Sequence, residues 1–341
     1  MTPPEAARRL AAVALFVVVL VAGGGAAAVE TRAGLRVEVV VHEVGRPIQL
    51  AFDGAGRLVV LSHGRRGDAA GEILRLDIRG ALPIDAGRAP RVVLPFSTAP
   101  RKTALGSLAV DRRTGDIFLG EENGNRVYRL SSDHRLDTVA VGLRHLLGGS
   151  SIALDDEGRL VVLDYASSET DGRAETPPAR GLESFAPEGY QGPLVFRVRL
   201  DDGASLPRRL DVLRPFFPRG WLSPAGEPLS RFVAVAARPD GELVVMDSLG
   251  QLSVLTPAGT VRPIVRLPAG HYHRTSVAIA RDGSVLVSTG FHVRRLYQVS
   301  REAVVTTLVS ELGDPGGVAV DGAGNIYVAE TALHRVIRLV P

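Results

Sequence analysis

The side chains of this 341-residue chain that could do chemistry are histidines, arginines and carboxylates, because it contains no cysteine. Disulfides, thiol catalysis, a lipoprotein anchor and a cysteine-held metal are therefore excluded. Six of the eight histidines, His63, His145, His271, His273, His292 and His334, fall in segments that read as loops. Arg65, Arg66, Arg101, Lys102, Arg144 and Arg274 fall in segments of the same kind. Imidazoles that titrate near neutrality beside permanent cations suit an anionic ligand, a carboxylate or a phosphate. The plainer alternative is a set of loops that use arginine wherever they need charge. Tyr165 and Trp221 would give such a site aromatic walls. His271-Tyr-His273 is half of a metal site, since alternate residues of a strand point one way, but it needs two further convergent ligands. Glu121, Asp164, Asp247 and Glu330 each close an apolar run. A carboxylate there can bind turn amides or a following arginine (Arg126, Arg335), so a structural role is favoured over a catalytic one.

The elements that must position these residues are short strands in a repeat. In Leu50-Ala-Phe-Asp-Gly-Ala-Gly-Arg-Leu-Val-Val-Leu61 an apolar run, a turn rich in Asp and Gly, and a second apolar run follow one another. The pattern returns at 108–119, 152–163, 235–246, 277–288 and 317–328. Its turn glycines, Gly56, Gly115, Gly158, Gly241, Gly283 and Gly324, are separated by 59, 43, 83, 42 and 41 residues. The underlying period of about 42 is that of four-stranded propeller blades, with the two long gaps holding insertions. One such sheet is apolar on both faces and needs a copy of itself on each side.

The last copy, Pro315 to Arg335, resembles an NHL repeat: a proline, a Gly-Val-Ala-Val-Asp strand, then Asn-Ile-Tyr-Val-Ala and His-Arg-Val, with Glu330 where that family has Asp. Asn125-Arg126-Val127 after Glu121 matches the same pattern, and the resemblance extends over residues 35 to 341. It implies an all-β, six-bladed propeller. It leaves function open, since NHL propellers serve as binding platforms and sensors, and related six-bladed families include enzymes.

The expected blades run from about 47 to 96, 106 to 141, 150 to 214, 232 to 267, 275 to 310 and 315 to 340. The last has only three strands before the chain stops, so the alternating segment Leu35 to His42 is expected to supply its outer strand and close the ring. Insertions at 166–192 and 215–231 project from one face, the face of the links between blades and of the loops joining second to third strands. His63, Arg101, Arg144, His145, Tyr165, Trp221, His271, His273 and Arg274 are therefore expected around the channel mouth on that face.

The resemblance also permits a test for catalysis. Six-bladed lactonases of the gluconolactonase type, which look similar, hold a divalent metal with Glu, Asn and Asp at the starts of inner strands. The matching column here is Ile48, Gly106, Ser150, Val233, Thr275 and Gly316. Hard cations need oxygen ligands that this column lacks. Amidating lyases of similar shape use histidine-held zinc, and no histidine falls in the inner columns. The next column, Gln49, Ser107, Ser151, Ala234, Ser276 and Gly317, is small and weakly polar; Gln49, Ser107, Ser151 and Ser276 are the expected channel lining. No catalytic residue, metal or cofactor follows from these columns.

Residues 1 to 28 read as a separate element: Arg8-Arg9, an apolar run from Leu10 to Val21, then small residues to Ala28. This is the pattern of a secretory signal peptide. Leu10 to Val29 is also about long enough to span a bilayer, so an anchor is the alternative, and both place residues 29–341 outside the cytoplasm. Net charge is only +3, and one lysine stands among 40 basic residues. The pI of 9.6 thus reflects arginine chemistry, not a basic stripe, and nucleic acid is excluded as partner. The expected protein is a secreted or periplasmic monomer that binds a small anionic ligand, or a protein or peptide partner, on its insertion-bearing face. A hydrolase or lyase with a non-standard active site is the alternative.

Overall fold

The first and last blades turn on the same local device, visible in the computed structural model. Asp53 Oδ1 accepts hydrogen bonds from the backbone of Ala55 (3.0 Å) and Arg57 (2.9 Å), and Asp321 Oδ1 does the same for Ala323 and Asn325. The turn requires positive φ at Gly56 (74°) and Gly324 (92°), a conformation that glycine adopts without a steric penalty. The structure describes residues 16–17, 29–64, 71–94, 105–122, 124–165, 192–217 and 231–340. Most of 1–28 and the greater part of both insertions, with Arg101 and Trp221, lie outside them. Within 1–28, only Phe16–Val17 is described, paired antiparallel with Glu30–Thr31.

Six antiparallel sheets result. The second strands are buried on both sides, which explains their unbroken apolar runs. In Leu243–Asp247, Leu243 and Val245 pack toward the preceding blade, while Val244 and Met246 pack toward the following one. One apolar cluster fills each of the six interfaces between neighbouring blades. That between the last and first includes Val41, Leu50, Val60, Ala319, Tyr327 and Val336. Arg36–His42 lies hydrogen-bonded along Arg335–Val340 as the outer strand of the sixth sheet.

The expectation of four strands in every blade needs one correction. Among the described residues the third sheet has three strands: Ile152–Leu154, Leu160–Asp164 and Leu194–Val198. Where a fourth strand would lie there is a single bridge, Val195 to Phe217. The chain between them leaves the sheet, and Arg208–Arg209 pairs parallel to Leu136–Val141 of the second blade. Blade one makes the same excursion: Ile84–Asp85 pairs parallel to Arg36–His42 of the sixth sheet. These excursions cover edges of neighbouring blades that would otherwise present unpaired backbone groups.

Candidate functional site

The inner strands begin at the insertion-bearing face, where small residues let them converge on the axis. A Cβ on Gly316 would lie 2.7 Å from the Ile48 carbonyl oxygen, and one on Gly317 would lie 2.5 Å from the Leu50 nitrogen. Side chains from alternate blades then meet. Ser150 and Ser276 hydroxyls are 2.9 Å apart, and Ser276 Oγ donates to Gln49 Oε1 at 3.4 Å. The Ser150 amide donates to the Thr275 carbonyl at 3.0 Å. These groups belong to blades one, three and five. They form a polar plug on the axis, and the recess on one side of it shares no lining residue with the funnel at the first turns.

The cavity above the plug is a recess of about 80 Å³, room for two or three waters or a small acid. Its chemistry comes from His63, Glu122, Arg46, Arg274 and Asp314. Arg46, Arg274 and Asp314 all hold left-handed backbone, with φ of 54°, 53° and 56°, uncommon for residues with a side chain. Arg274 Nη2 pairs with Glu122 Oε2 at 2.8 Å; the Arg274 side chain is 51% exposed and that of Glu122 15%. Burial pushes the Glu122 carboxyl above its ordinary range despite Arg274 and the Gly148 amide. Burial likewise raises Asp314, partly offset by Arg46, Arg274 and Arg294. No described residue hydrogen-bonds the Asp314 carboxylate, and Arg46, exposed, has no ion-pair partner among them. His63 Nε2 lies 2.7 Å from the Leu105 carbonyl, which can only accept, so the proton sits on Nε2 and Nδ1 is an acceptor. Burial, then the charges of Arg46 and Arg274, lowers the His63 pKa and keeps the ring neutral.

The residues singled out in the sequence are distributed as follows. His63, Arg274 and Gln49 line the recess, and Ser276 sits in the plug beneath it. His271, His273 and His292 cluster beside it, with ring centroids 5.9 Å apart for the first pair and 4.7 Å for His271 and His292. Burial, followed by Arg274 and the neighbouring histidines, lowers His273 to about 4. No group of three or more His, Asp or Glu among the described residues is arranged to hold a metal ion. Tyr165 is buried, accepts a hydrogen bond from Arg231 (2.7 Å) and packs on His145 at 5.1 Å. Arg144 is turned inward: its side chain is 8% exposed and pairs at 2.9 Å with Asp164, itself 2% exposed. Ser151 is buried and donates to the Leu147 carbonyl, and the buried Ser107 hydroxyl has no partner among the described residues.

The acidic column has structural partners throughout. Glu121 accepts from Tyr128 (2.8 Å), Asp247 from the Leu249 and Gln251 amides, and Glu330 from Arg335 (2.5 Å) and the Gly313 amide. Sequence reasoning missed Glu122, Arg46 and Asp314. Glu122 follows a register shift at Gly120/Glu121 that re-aims the chain at the strand end. Arg46 and Asp314 each precede a proline that opens an inner strand, and that shared placement was the available signal.

No family model matches the chain, and no curated protein matches it either. Solved structures do. The PQQ domain of pyranose dehydrogenase from Coprinopsis cinerea matches with a TM-score of 0.63 at 11% identity, covering 92% of this chain and 97% of that one. A protein from Thermus thermophilus described as a putative oxidoreductase (glucose dehydrogenase) matches at 0.54 and 20% identity, over 90% and 100%. Virginiamycin B lyase from Staphylococcus aureus matches at 0.53 and 12%, over 90% and 99%. The chain is a six-bladed β-propeller. At these identities the likeness is one of fold, and the propeller's recess has to be read from its own residues.

Proposed function

We propose that this propeller is an exported binding protein that takes a small anion into the recess of its insertion-bearing face, its ring clasped by Arg36–His42. The observation that carries the reading is Arg46: an exposed guanidinium at the mouth of a small cavity with no ion-pair partner among the described residues. Arg274 supplies a second, half-exposed cation. A planar carboxylate or a phosphate matches the fork of a guanidinium. Calorimetric titration with pyruvate, acetate and inorganic phosphate tests this. One of them is expected to bind, and Arg46→Ala to weaken it about tenfold, the worth of one charge-assisted hydrogen bond. Equal affinity in Arg46→Ala and the natural protein would overturn the reading.

A second reading, a hydrolase or lyase, is favoured by Asp314. A carboxyl without a hydrogen-bond partner among the described residues, its pKa raised by burial, in the same recess as a neutral histidine, offers the groups for general acid–base chemistry. Assays of small lactones and esters test it. Asp314→Asn should abolish turnover while anion binding persists; unchanged turnover removes Asp314 from the chemistry.

A further inference from the structure

The second cavity lies below the plug, at the mouth formed by the first turns. It is a funnel of about 780 Å³ lined by residues from 50–52, 110–113, 154–158, 237–239, 278–283 and 318–320, one segment from each blade, together with Arg301. All of these segments are among the described residues. The volume is that of a site for a mid-sized organic molecule. The wall is apolar: Val110, Leu154, Ile279 and Val320 occupy the same register, immediately before the turn, and each is left partly exposed. Each also packs in part against the cluster between neighbouring blades, and the remainder of the side chain is open to the funnel.

The rim is cationic once its internal pairs are removed. Asp111 is held by Arg113 (3.4 Å), Asp155 by Arg159 (2.7 Å), and Arg238 by Glu242 (3.4 Å). That leaves Arg112, Arg281 and Arg301, all exposed and without an ion-pair partner among the described residues, against Asp156 in the lining and Asp282 beside Arg301. Arg112 belongs to the second blade and Arg281 to the fifth, so in a six-bladed ring they stand across the mouth from each other. Arg281 Nη1 reaches the Gly322 carbonyl of the next blade at 3.3 Å, which holds the guanidinium along the rim.

We infer that this funnel is a second binding site, for an anionic amphiphile whose charged head meets a rim arginine, Arg112 or Arg281, while its apolar body lies against the wall below. The inference does not depend on the recess, because the two cavities have no lining residue in common.

The test uses the full chain and the fluorescent anion 8-anilinonaphthalene-1-sulfonate, displaced by dodecanoate. Saturable binding at one site is expected, with displacement by dodecanoate and little by butyrate, which has the head without the body, or by dodecyl maltoside, which has the body without the charge. Arg112→Ala with Arg281→Ala should weaken the dye and dodecanoate by about tenfold or more. Pro239→Glu, an exposed rim position, should weaken both by adding a carboxylate. Arg46→Ala, at the opposite mouth, should change neither. Unchanged affinity in the double variant, displacement by the neutral detergent as effective as by dodecanoate, or sensitivity to Arg46→Ala in place of the rim arginines would each overturn the proposal.

Discussion

Replacing Arg274 by alanine should destabilise the protein at neutral pH and leave it almost unaffected in acid. Glu122 is buried down to 15% exposure and has one ion-pair partner among the described residues, Arg274, at 2.8 Å. A charge-assisted hydrogen bond is worth about 1.5–3 kcal/mol. Half of the Arg274 side chain faces solvent, so screening reduces this to roughly 1–2 kcal/mol. The Glu122 pKa is raised above its unfolded value, so folding favours its protonated form. Its contribution to stability therefore falls as pH rises from the unfolded pKa to the folded one. Without Arg274 the folded pKa rises further, and the loss grows over a wider range toward neutrality. Below the unfolded pKa Glu122 is protonated in both states and the arginine has no charge to oppose. At a few degrees per kcal/mol for a chain of this size, Tm should drop by about 2–4 °C at pH 7 relative to the natural protein, and by less than about 1 °C at pH 4. Thermal unfolding of both proteins at the two pH values reads this directly. Glu122→Gln, with no charge to leave unpaired, should reduce the pH dependence of the Arg274→Ala effect to what Asp314, His63 and His273 contribute through the same arginine. An equal loss at pH 4 and pH 7, or a larger one in acid, would show that Arg274 acts through packing and that the electrostatic account is wrong.

Two further outcomes follow from other groups. Asp164→Ala removes the carboxylate paired with Arg144 in a site where the arginine side chain is 8% exposed and keeps only weaker partners such as the Gly192 carbonyl; the expected loss is about 3 kcal/mol, read as a lower denaturant midpoint, and breaking the exposed pair of Arg79 and Asp77 should move the midpoint far less. Asp314, whose carboxyl pKa burial raises, ionises over a pH range above its ordinary value. Anion affinity of the recess should therefore decline as pH rises through that range, and Asp314→Asn should flatten the decline and bind more tightly at pH 7, as titrations at several pH values would show.

The blade count was legible because its signals are local. Each first turn carries its own Asp or Gly, and each second strand is an apolar run whose alternate side chains fill opposite interfaces, as at Leu243 to Met246. The third blade departs from the repeat because its last segment leaves the sheet to pair with another blade, and Phe217 returns for only one bridge. A structural role for the acidic column agrees with its hydrogen bonds to tyrosine, arginine and turn amides.

Of the residues expected at the mouth, His63 and Arg274 share the recess, His271 and His273 stand beside it, and Arg144 lies inside the fold. The difference between Arg144 and Arg274 is invisible in the sequence. Both are arginines in links before inner strands, but one points at a buried carboxylate and the other at a cavity. Glu121 and Glu122 differ in the same way, their directions set by the register shift between them.

By itself, then, the order of residues determined a repeated sheet unit with two apolar faces, and hence a ring of such units, since exposed apolar faces in water are unfavourable whatever the partner. The tertiary structure alone decided what meets at the axis. Gln49, Ser150 and Ser276 are brought together from strands more than a hundred residues apart, and the separation of recess from funnel depends on how closely glycine-bearing strands can approach. Those approaches depend on side-chain direction and on contacts between distant segments, neither of which short-range pattern encodes.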